Sequence, residues 1–308
     1  MVKFETAKEI FYTPFFELIY KAYTIHKENF DASKIQACSL LSIQTGGCSE
    51  DCAWCAQSSR NKTKMPKQII TDLKTILDAA QKAKEIGSSR FCMGSSGRMP
   101  NREFFEMICK VVKEVKKLGL ETCLTMGTLT EDQVKTLKDC GLDYYNHNIE
   151  SSPEYYKNIV TTRTMDEKIN TINLVQKYDI NVCSGGIIGM GETNEDRIKM
   201  FVLLANLKKP PASIPINRLI KIPGTPLENA PDVDTFDFVR SIALARILMP
   251  KSFVRLSAGR ETMSEELQAL CFFAGANSIF VGEKLLTVRN SDYQKDFELL
   301  KKLNMSLL

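Results

Sequence analysis

The chain has 308 residues, 44% of them hydrophobic, and its 41 Lys and Arg against 37 Asp and Glu give a formal net charge of +4. This length suffices for one large α/β domain, and the small, dispersed charge argues against nucleic acid as the main partner. No apolar run approaches the roughly 20 residues needed to span a membrane. The N-terminus lacks an apolar signal region, so we expect a cytoplasmic protein whose ten cysteines are reduced thiols.

A helical stretch over about residues 14–28 comes first, within a predicted N-terminal helical extension of residues 1–34. From residue 35 to residue 308, short β-rich runs alternate with stretches of the 3.6-residue apolar period. The predicted strands are residues 39–44, 90–93, 121–125, 144–146, 181–186, 214–219, 253–256 and 278–281. The predicted helices are residues 71–86, 102–118, 131–140, 165–178, 195–207, 235–248 and 264–274. This order predicts an α/β fold, a complete (β/α)8 TIM-type barrel, whose catalytic groups lie at the C-terminal ends of the strands.

Three cysteines follow the first predicted strand in a C-x3-C-x2-C pattern, and we call Cys48, Cys52 and Cys55 the outer cysteines. Three thiolates from one loop can bind three irons of a 4Fe–4S cluster and leave the fourth iron open to a small molecule. A zinc site normally needs four ligands, usually in two pairs, and the sequence has no second C-x2-C. A disulfide with one spare thiol is a further alternative. The spacing favours an iron–sulfur site.

A second group of cysteines falls within the predicted strands. Cys92, Cys123 and Cys183 lie on the second, third and fifth strands and Arg255 lies on the seventh; we call these four residues the inner set. If the side chains point inward they converge inside the barrel, where a cluster would give the buried Arg an anionic partner. A buried free cysteine is commonly just a small hydrophobe, so the pattern leaves both interpretations equally open. The other cysteines show no such convergence and are predicted to be core or surface thiols: Cys38, Cys109, Cys140 and Cys271.

Taken together, these motifs resemble the biotin synthase family of radical S-adenosylmethionine (SAM) enzymes over about residues 35–300. The segments that carry the resemblance are residues 48–60, 90–94, 141–148, 161–164, 183–193, 215–217, 254–260 and 274–280. The cysteine motif is shared by many radical SAM activities. The Tyr-Tyr-Asn-His-Asn run at 144–148, combined with the inner set, is much more specific to this family.

The resemblance implies a homodimeric transferase that inserts sulfur into dethiobiotin, the last step of biotin biosynthesis. It implies that the outer cysteines hold a 4Fe–4S cluster that cleaves SAM to 5′-deoxyadenosyl radicals. It assigns the inner set to a 2Fe–2S cluster that donates the sulfur. It further implies a reducing partner such as flavodoxin or ferredoxin, and a C-terminal part associated with biotin and thiamin synthesis at about residues 210–300.

The resemblance also implies which side chains contact the small molecules. For SAM they are Trp54, Ser95, Asn148, Glu150, Lys168 and Ile187. For dethiobiotin they are Asn146, Asn148, Asn217 and Thr287. Without the resemblance, the Asn-His-Asn run would be interpreted as a turn that ends a strand.

Four positions depart from the family pattern. Trp54 replaces a Tyr, and Lys168 stands where an Arg typically pairs the SAM carboxylate, which keeps the charge but loses the bidentate fork. Val288 removes a hydroxyl from the dethiobiotin carboxylate end, and Glu283 stands where some relatives carry a further Cys. These departures predict weaker SAM binding rather than different chemistry.

Two other functions remain open on the sequence. A radical SAM enzyme that rearranges or cleaves bonds without inserting sulfur would not need the inner set. A non-catalytic iron–sulfur redox sensor would need neither a full barrel nor the paired Asn residues.

Overall fold

Parallel strands close into a barrel in the computed structural model, which describes residues 1–70 and 72–308. The strands are β1 Lys34–Thr45, β2 Gln68–Ile69, β3 Arg90–Ser95, β4 Glu121–Thr125, β5 Tyr144–Asn146, β6 Asn181–Cys183, β7 Gly186–Ile188, β8 Ser213–Arg218, β9 Phe253–Leu256, β10 Ser278–Phe280 and β11 Ser306–Leu307. The helices are α1 Phe4–Phe11, α2 Phe15–Asn29, α3 Leu73–Glu85, α4 Arg102–Lys117, α5 Glu131–Asp139, α6 Pro153–Ile159, α7 Met165–Lys177, α8 Asn194–Ala205, α9 Thr235–Leu248, α10 Glu265–Phe273 and α11 Tyr293–Lys302.

The barrel strands follow one another in chain order, β1-β3-β4-β5-β6-β8-β9-β10, and every neighbouring pair is parallel. β10 closes the ring on β1, where Cys38 is the register partner of Phe280 on one side and of Arg90 on the other. β7 continues the fifth strand position beside β8. The predicted (β/α)8 barrel is confirmed.

The fifth barrel strand is interrupted where one strand was predicted over residues 181–186. β6 ends at Cys183 and β7 begins at Gly186. A Cβ atom on Gly185 would lie 2.0 Å from the Pro215 carbonyl oxygen, so only glycine permits this close approach of the two backbones. The interruption turns the chain at the mouth of the barrel.

Helix α4 shows how the apolar period produces the outer layer. Asn101 caps its N-terminus by accepting a 2.9 Å hydrogen bond from the Phe104 amide. Phe104, Ile108, Val112 and Val115 recur at helical spacing and are all buried. Each buried side chain of this kind contributes about 1.5–3 kcal/mol from its removal from water.

The N-terminal extension contains two helices where one was predicted over residues 14–28. α2 follows the prediction closely, and α1 precedes it. The extension is held on the barrel by Arg240, whose Nη1 donates hydrogen bonds of 2.7 Å to the carbonyl oxygens of both Phe11 and Thr13. None of the helices in residues 1–70 and 72–308 combines the length and apolar character needed to cross a bilayer.

Three further differences concern element bounds. β1 begins five residues before the predicted start at residue 39. Helices α6 and α11 were not predicted. Residue 71, where the predicted 71–86 helix begins, lies outside the described residues, and α3 starts at Leu73 behind an Asp72 N-cap.

Candidate active site

A cavity of about 350 Å³ opens at the C-terminal ends of the barrel strands. Its lining includes these residues that the sequence predicted for the site: Cys48, Cys52, Trp54, Cys55, Cys92, Ser95, Cys123, Asn146, Asn148, Glu150, Lys168, Ile187, Asn217, Arg255 and Thr287. Cys183 does not line the cavity, because it is fully buried behind it. A second hollow of about 620 Å³ beside α11 contains none of the predicted residues.

The outer cysteines lie on the loop that leaves β1. Gly46 begins this loop with a φ of +73°, and a Cβ atom there would lie 2.6 Å from the Pro66 carbonyl oxygen. The amide of Asn61 donates hydrogen bonds to the carbonyl oxygens of Cys52 at 3.0 Å and Cys55 at 2.8 Å. These bonds hold the loop backbone in a tight turn, and the three thiols are half-buried and free.

Two acidic residues inside this loop anchor it to the segment that precedes α7. Glu50 accepts hydrogen bonds from the Thr162 hydroxyl at 2.7 Å and from Arg98 at 3.1 Å. Asp51 accepts from the backbone amides of Thr161 at 3.0 Å and Thr162 at 3.2 Å. Burial raises the pKa of Asp51, but the hydrogen bonds from both threonines outweigh it and lower that pKa to about 2. The sequence analysis missed both residues. Their position between Cys48 and Cys52 could have indicated a role in holding the loop.

The outer cysteines fit an iron–sulfur cluster by the chemistry of their donors. Burial raises the pKa of the Cys55 thiol to about 11 and that of Cys52 further, so without a metal both hold their protons at neutral pH. A metal that displaces those protons also removes the cost of burying a thiolate. In the part of the chain that the structure describes, no three His, Cys, Asp or Glu side chains have the arrangement that holds a single metal ion. A 4Fe–4S cube binds each thiolate through a different iron, so its three ligands need not converge on one ion.

A buried acid–base pair lies beside the outer cysteines on the cavity wall. Glu150 adopts a left-handed backbone with a φ of +71°, and its Oε2 is buried without a hydrogen-bond partner among the described residues. Burial raises the pKa of this carboxyl, and the nearby Lys168 ammonium opposes that shift. Lys168 is itself 7% exposed and donates a 2.7 Å hydrogen bond to the Asn148 carbonyl oxygen. A buried carboxylate oxygen without a hydrogen bond destabilises the fold, so this wall suits a ligand whose hydroxyl group donates a hydrogen bond to Glu150.

The asparagine side chains of the cavity are oriented by the backbone. Asn148 Oδ1 accepts from the Gly185 amide at 3.2 Å and from Asn146 Nδ2 at 3.4 Å. Asn217 Nδ2 donates to the Gly186 carbonyl oxygen at 3.0 Å, and its Oδ1 accepts from the Ala258 amide at 3.1 Å. An amide nitrogen carries two hydrogens, so Asn146 and Asn217 each keep one for a ligand. The interruption between β6 and β7 thus leaves the Gly185 amide and the Gly186 carbonyl oxygen free to orient Asn148 and Asn217.

Where Cys92 and Cys123 line the cavity, the structure brings the thiols of the inner set together in a buried cluster, which we call the inner chamber. Cys92 and Cys123 are register partners on β3 and β4, and their thiols lie within hydrogen-bonding reach of each other. Cys183 lies within the same reach of Cys123. A hydrogen bond from Cys123, together with the charges of Arg90 and Arg255, outweighs burial and lowers the pKa of Cys183 to about 7. The two arginine charges therefore favour the anionic form of the Cys183 thiol.

Two residues of this chamber were missed by the sequence analysis. Arg90 is fully buried, stacks 3.3 Å above the Tyr144 ring centroid and donates to Cys183 Sγ at 3.7 Å. Cys38 lies in the same buried cluster as the inner thiols, so the prediction that it stands apart from them was wrong. A signal for Arg90 was its position as a charged residue opening an apolar strand. Nothing in the local sequence distinguished Cys38.

Comparison with known proteins places these features in a family. Residues 42–205 match the Radical SAM superfamily, and residues 215–306 match the Biotin and Thiamin Synthesis associated domain. The chain is 56% identical over 302 residues to the biotin synthase of Rickettsia felis, covering 98% of each chain. It is 53% identical over 302 residues to the biotin synthase of Lawsonia intracellularis, covering 98% of this chain and 96% of that one.

Solved structures with little sequence similarity share the fold. A methylornithine synthase superimposes with a TM-score of 0.82 at 17% identity, covering 100% of this chain and 94% of that one. The FeFe-hydrogenase maturase HydG of Carboxydothermus hydrogenoformans gives 0.81 at 16% identity, covering 99% of this chain and 75% of the maturase. At these identities the likeness concerns the barrel and not the reaction.

Proposed function

The chain belongs to the biotin synthase family of the radical SAM superfamily, and on that premise we propose that it inserts sulfur into dethiobiotin to form biotin. The inserted sulfur bridges two carbons whose C–H bonds are beyond the reach of acid–base side chains. When bound, the outer 4Fe–4S cluster supplies the electron that cleaves SAM to a hydrogen-abstracting radical, and the inner 2Fe–2S cluster supplies sulfur. The protein contributes binding, orientation and exclusion of water.

The outer cysteines hold the first cluster, and the wall beside them binds SAM. Glu150 Oε2, buried and unpaired among the described residues, accepts a hydrogen bond from a ribose hydroxyl of SAM. Lys168 keeps a positive charge beside that carboxylate and fixes the Asn148 backbone through its 2.7 Å hydrogen bond. Trp54, Ser95 and Ile187 complete the SAM site from the cavity lining, where all of them lie.

The inner set holds the second cluster, and dethiobiotin lies between it and SAM. Asn146 and Asn217 offer oriented amide hydrogens to the ureido ring, since each uses only part of its hydrogen-bonding capacity within the protein. Asn148 contacts both SAM and dethiobiotin. Thr287, on the loop between β10 and α11, donates a hydrogen bond from its hydroxyl to the carboxylate of the substrate.

The single observation that carries this proposal is the continuity of one cavity. Its lining includes all the outer cysteines, which lie on the loop after β1, and also Cys92, Cys123 and Arg255, which lie within barrel strands. A substrate held between them has the radical source on one side and the sulfur source on the other. A closed barrel interior suits such a reaction, because a primary carbon radical must meet its target before water or another side chain.

Three further features belong to the proposal. An electron carrier such as flavodoxin or ferredoxin reduces the outer cluster. The enzyme works in the cytoplasm, where its ten free cysteines stay reduced. Two copies form a homodimer; exposed aromatic side chains on α2 and α9, Phe16 and Phe236, offer an apolar surface for such contact, and sedimentation of the reconstituted protein tests it.

An anaerobic assay of the reconstituted protein with SAM, dithionite and dethiobiotin tests the reaction. We expect both 5′-deoxyadenosine and biotin. 5′-Deoxyadenosine without biotin or a thiolated intermediate would favour a radical SAM enzyme that does not insert sulfur.

Two substitutions separate the half-reactions. Cys52→Ala removes an outer ligand, so both products should fall to background. Cys123→Ala removes an inner ligand, so SAM cleavage should persist while biotin disappears. Equal loss of both products in the two variants would contradict the division of labour between the clusters.

A further inference from the structure

An exposed basic segment follows the outer cysteines directly in the chain. Its members are Arg60, Lys62, Lys64 and Lys67, all of them exposed, and we call these four residues the basic face. No acidic residue lies between positions 53 and 71. The whole chain has 41 basic and 37 acidic residues, so the other positions carry 37 of each sign. The charge of this one short segment therefore equals the net charge of the whole chain.

Two side chains of the basic face lie against the backbone on either side of Cys48. Arg60 Nε donates a 3.1 Å hydrogen bond to the carbonyl oxygen of Ser49. Lys67 packs over Gly47, where an added Cβ atom would lie 3.2 Å from the Lys67 Cδ. Gly47 and Ser49 are the chain neighbours of Cys48, so two exposed cations flank one ligand of the outer cluster.

Hydrogen bonds hold the basic face in this place without involving the cavity. The Ser59 amide and hydroxyl both donate to the Cys48 carbonyl oxygen, at 2.8 and 2.9 Å. The Lys62 amide donates to the Gly224 carbonyl oxygen at 2.9 Å. None of the four basic residues lines the cavity that we assign to SAM and the substrate. A molecule bound to the basic face would therefore lie beside the outer cluster and leave the cavity accessible.

The charges of the basic face are not neutralised by the protein. Among residues 1–70 and 72–308, no carboxylate forms a salt bridge with any of the four, whereas Lys221 on the neighbouring loop pairs with Asp232 at 2.8 Å. One exposed carboxylate, Glu228, borders the face and accepts a 2.7 Å hydrogen bond from the Gly224 amide. Unpaired charges favour a transient partner of opposite charge, because electrostatic attraction accelerates encounter and electron-transfer complexes bury little surface.

From these observations we propose that the basic face is the docking surface for an acidic, low-potential electron-carrier protein, which reduces the outer cluster from the side of Cys48. In each encounter one electron leaves the reduced carrier and enters the oxidised cluster, so the carrier is oxidised as the cluster is reduced. No covalent bond forms or breaks between the two proteins. The inference rests on the proposed function for its electron carrier, and it adds where that carrier binds.

The test compares two double variants of the anaerobically reconstituted full-length protein. Lys62→Glu/Lys64→Glu reverses two charges of the basic face whose side chains form no hydrogen bond with the described residues. Lys110→Glu/Lys113→Glu is the control, because it changes the net charge equally on the exposed surface of α4. Each protein receives SAM and dethiobiotin with either reduced flavodoxin, an acidic carrier, or dithionite. The readout is the initial rate of 5′-deoxyadenosine formation at subsaturating flavodoxin.

The basic-face variant should be slowed selectively. With flavodoxin at low salt its rate should fall about tenfold or more below the wild-type rate, and the control should stay within about twofold. The difference should shrink to about twofold at roughly 0.5 M salt, because the charges are then screened. With dithionite both variants should match the wild type. Lys62→Gln/Lys64→Gln repeats the test with half the charge change if the glutamate variant does not load the outer cluster.

Several results would overturn the docking surface. They are a wild-type rate with flavodoxin in the basic-face variant, an equal loss in the control, an equal loss with dithionite, and a wild-type protein that flavodoxin does not reduce. Loss of heparin binding without loss of flavodoxin-driven turnover would assign the face to another polyanion and also overturn the proposal. A wild-type protein that forms 5′-deoxyadenosine with flavodoxin but no biotin would instead overturn sulfur insertion, and the docking surface would stand.

Discussion

The ammonium group of Lys168 donates a 2.7 Å hydrogen bond to the carbonyl oxygen of Asn148, so a helix α7 side chain fixes the segment that follows β5. The ammonium also lies 5.5 Å from the Tyr156 ring centroid. Burial lowers the pKa of Lys168, while the Glu150 carboxylate opposes that shift. The charge of Lys168 therefore acts on both the Asn148 backbone and the Glu150 carboxylate, two residues that we propose contact SAM.

Removing this charge should weaken SAM binding. In Lys168→Met the Asn148 carbonyl loses its donor and Glu150 loses its counter-charge. A hydrogen bond to a charged group contributes about 1.5–3 kcal/mol, so we expect the SAM dissociation constant to rise roughly tenfold to a hundredfold. Equilibrium dialysis against the reconstituted protein measures it, with Lys157→Met as the control because Lys157 is exposed on α6.

The opposite change tests the departure at this position. Lys168→Arg restores a bidentate fork and should tighten SAM binding. Unchanged or poorer affinity in this variant would contradict the interpretation of Lys168 as a weakened SAM ligand.

The unpaired oxygen of Glu150 predicts a second effect on SAM. Glu150→Gln replaces a carboxylate acceptor by a neutral amide, so SAM affinity should fall about tenfold while iron and sulfide content stay unchanged. Glu154→Gln is the matched control, since Glu154 lies four residues away on the exposed face of α6 and pairs with Lys199. Equal affinities in the two variants would remove Glu150 from the SAM site.

Arg90 should support both stability and the inner cluster. Arg90→Met removes the donor to Cys183, the contact with the Tyr144 ring and the 2.9 Å ion pair with Glu121. Breaking a fully buried pair costs about 3–5 kcal/mol, and because the Glu121 side chain is 41% exposed we expect a smaller loss of about 2 kcal/mol. Urea unfolding of the metal-free protein measures this loss.

The control for Arg90 is Arg102→Met, which removes an exposed pair with Glu106 and should cost less than about 0.5 kcal/mol. Iron analysis supplies the second readout. Inner-cluster content should fall in Arg90→Met only, and normal content there would show that Arg90 stabilises the barrel without assisting the cluster.

His26 predicts how stability depends on pH. Its ring is 1% exposed, and burial, assisted by the Arg246 charge, lowers its pKa from 6.5 to about 4. Between these two pKa values His26 is protonated in the unfolded chain but neutral in the folded chain. The contribution of His26 to the free energy of unfolding is therefore fully present above pH 6.5 and is lost as the pH falls toward 4. The shift corresponds to about 2 kcal/mol less stability at pH 5 than at pH 7.

His26→Leu keeps an apolar side chain in the site and removes the titrating group. Its free energy of unfolding in urea should therefore change less between pH 7 and pH 5 than that of the wild type. Identical pH slopes in the two proteins would show that another group carries the acid sensitivity.

The alternation of apolar periods predicted the barrel because each βα unit is recognisable on its own. The runs over residues 121–125, 144–146 and 253–256 match β4, β5 and β9 at both ends. The fifth strand was less predictable, since its interruption depends on how closely Gly185 approaches Pro215, a neighbour that the local sequence does not contain. Helix α6 was not predicted because its seven residues are too few to show the 3.6-residue apolar period.

The sequence by itself determined the chemistry of the outer cysteines, because three ligands within eight residues are brought together by one loop whatever surrounds them. Only the tertiary structure decided which other side chains lie beside the thiols of Cys92, Cys123 and Cys183. Cys38 and Arg255 are 217 residues apart, and they meet at 3.0 Å because β10 closes the barrel onto β1. No local period encodes which strands become neighbours at closure, so a thiol that looked ordinary in the sequence lies among the inner thiols in the folded chain.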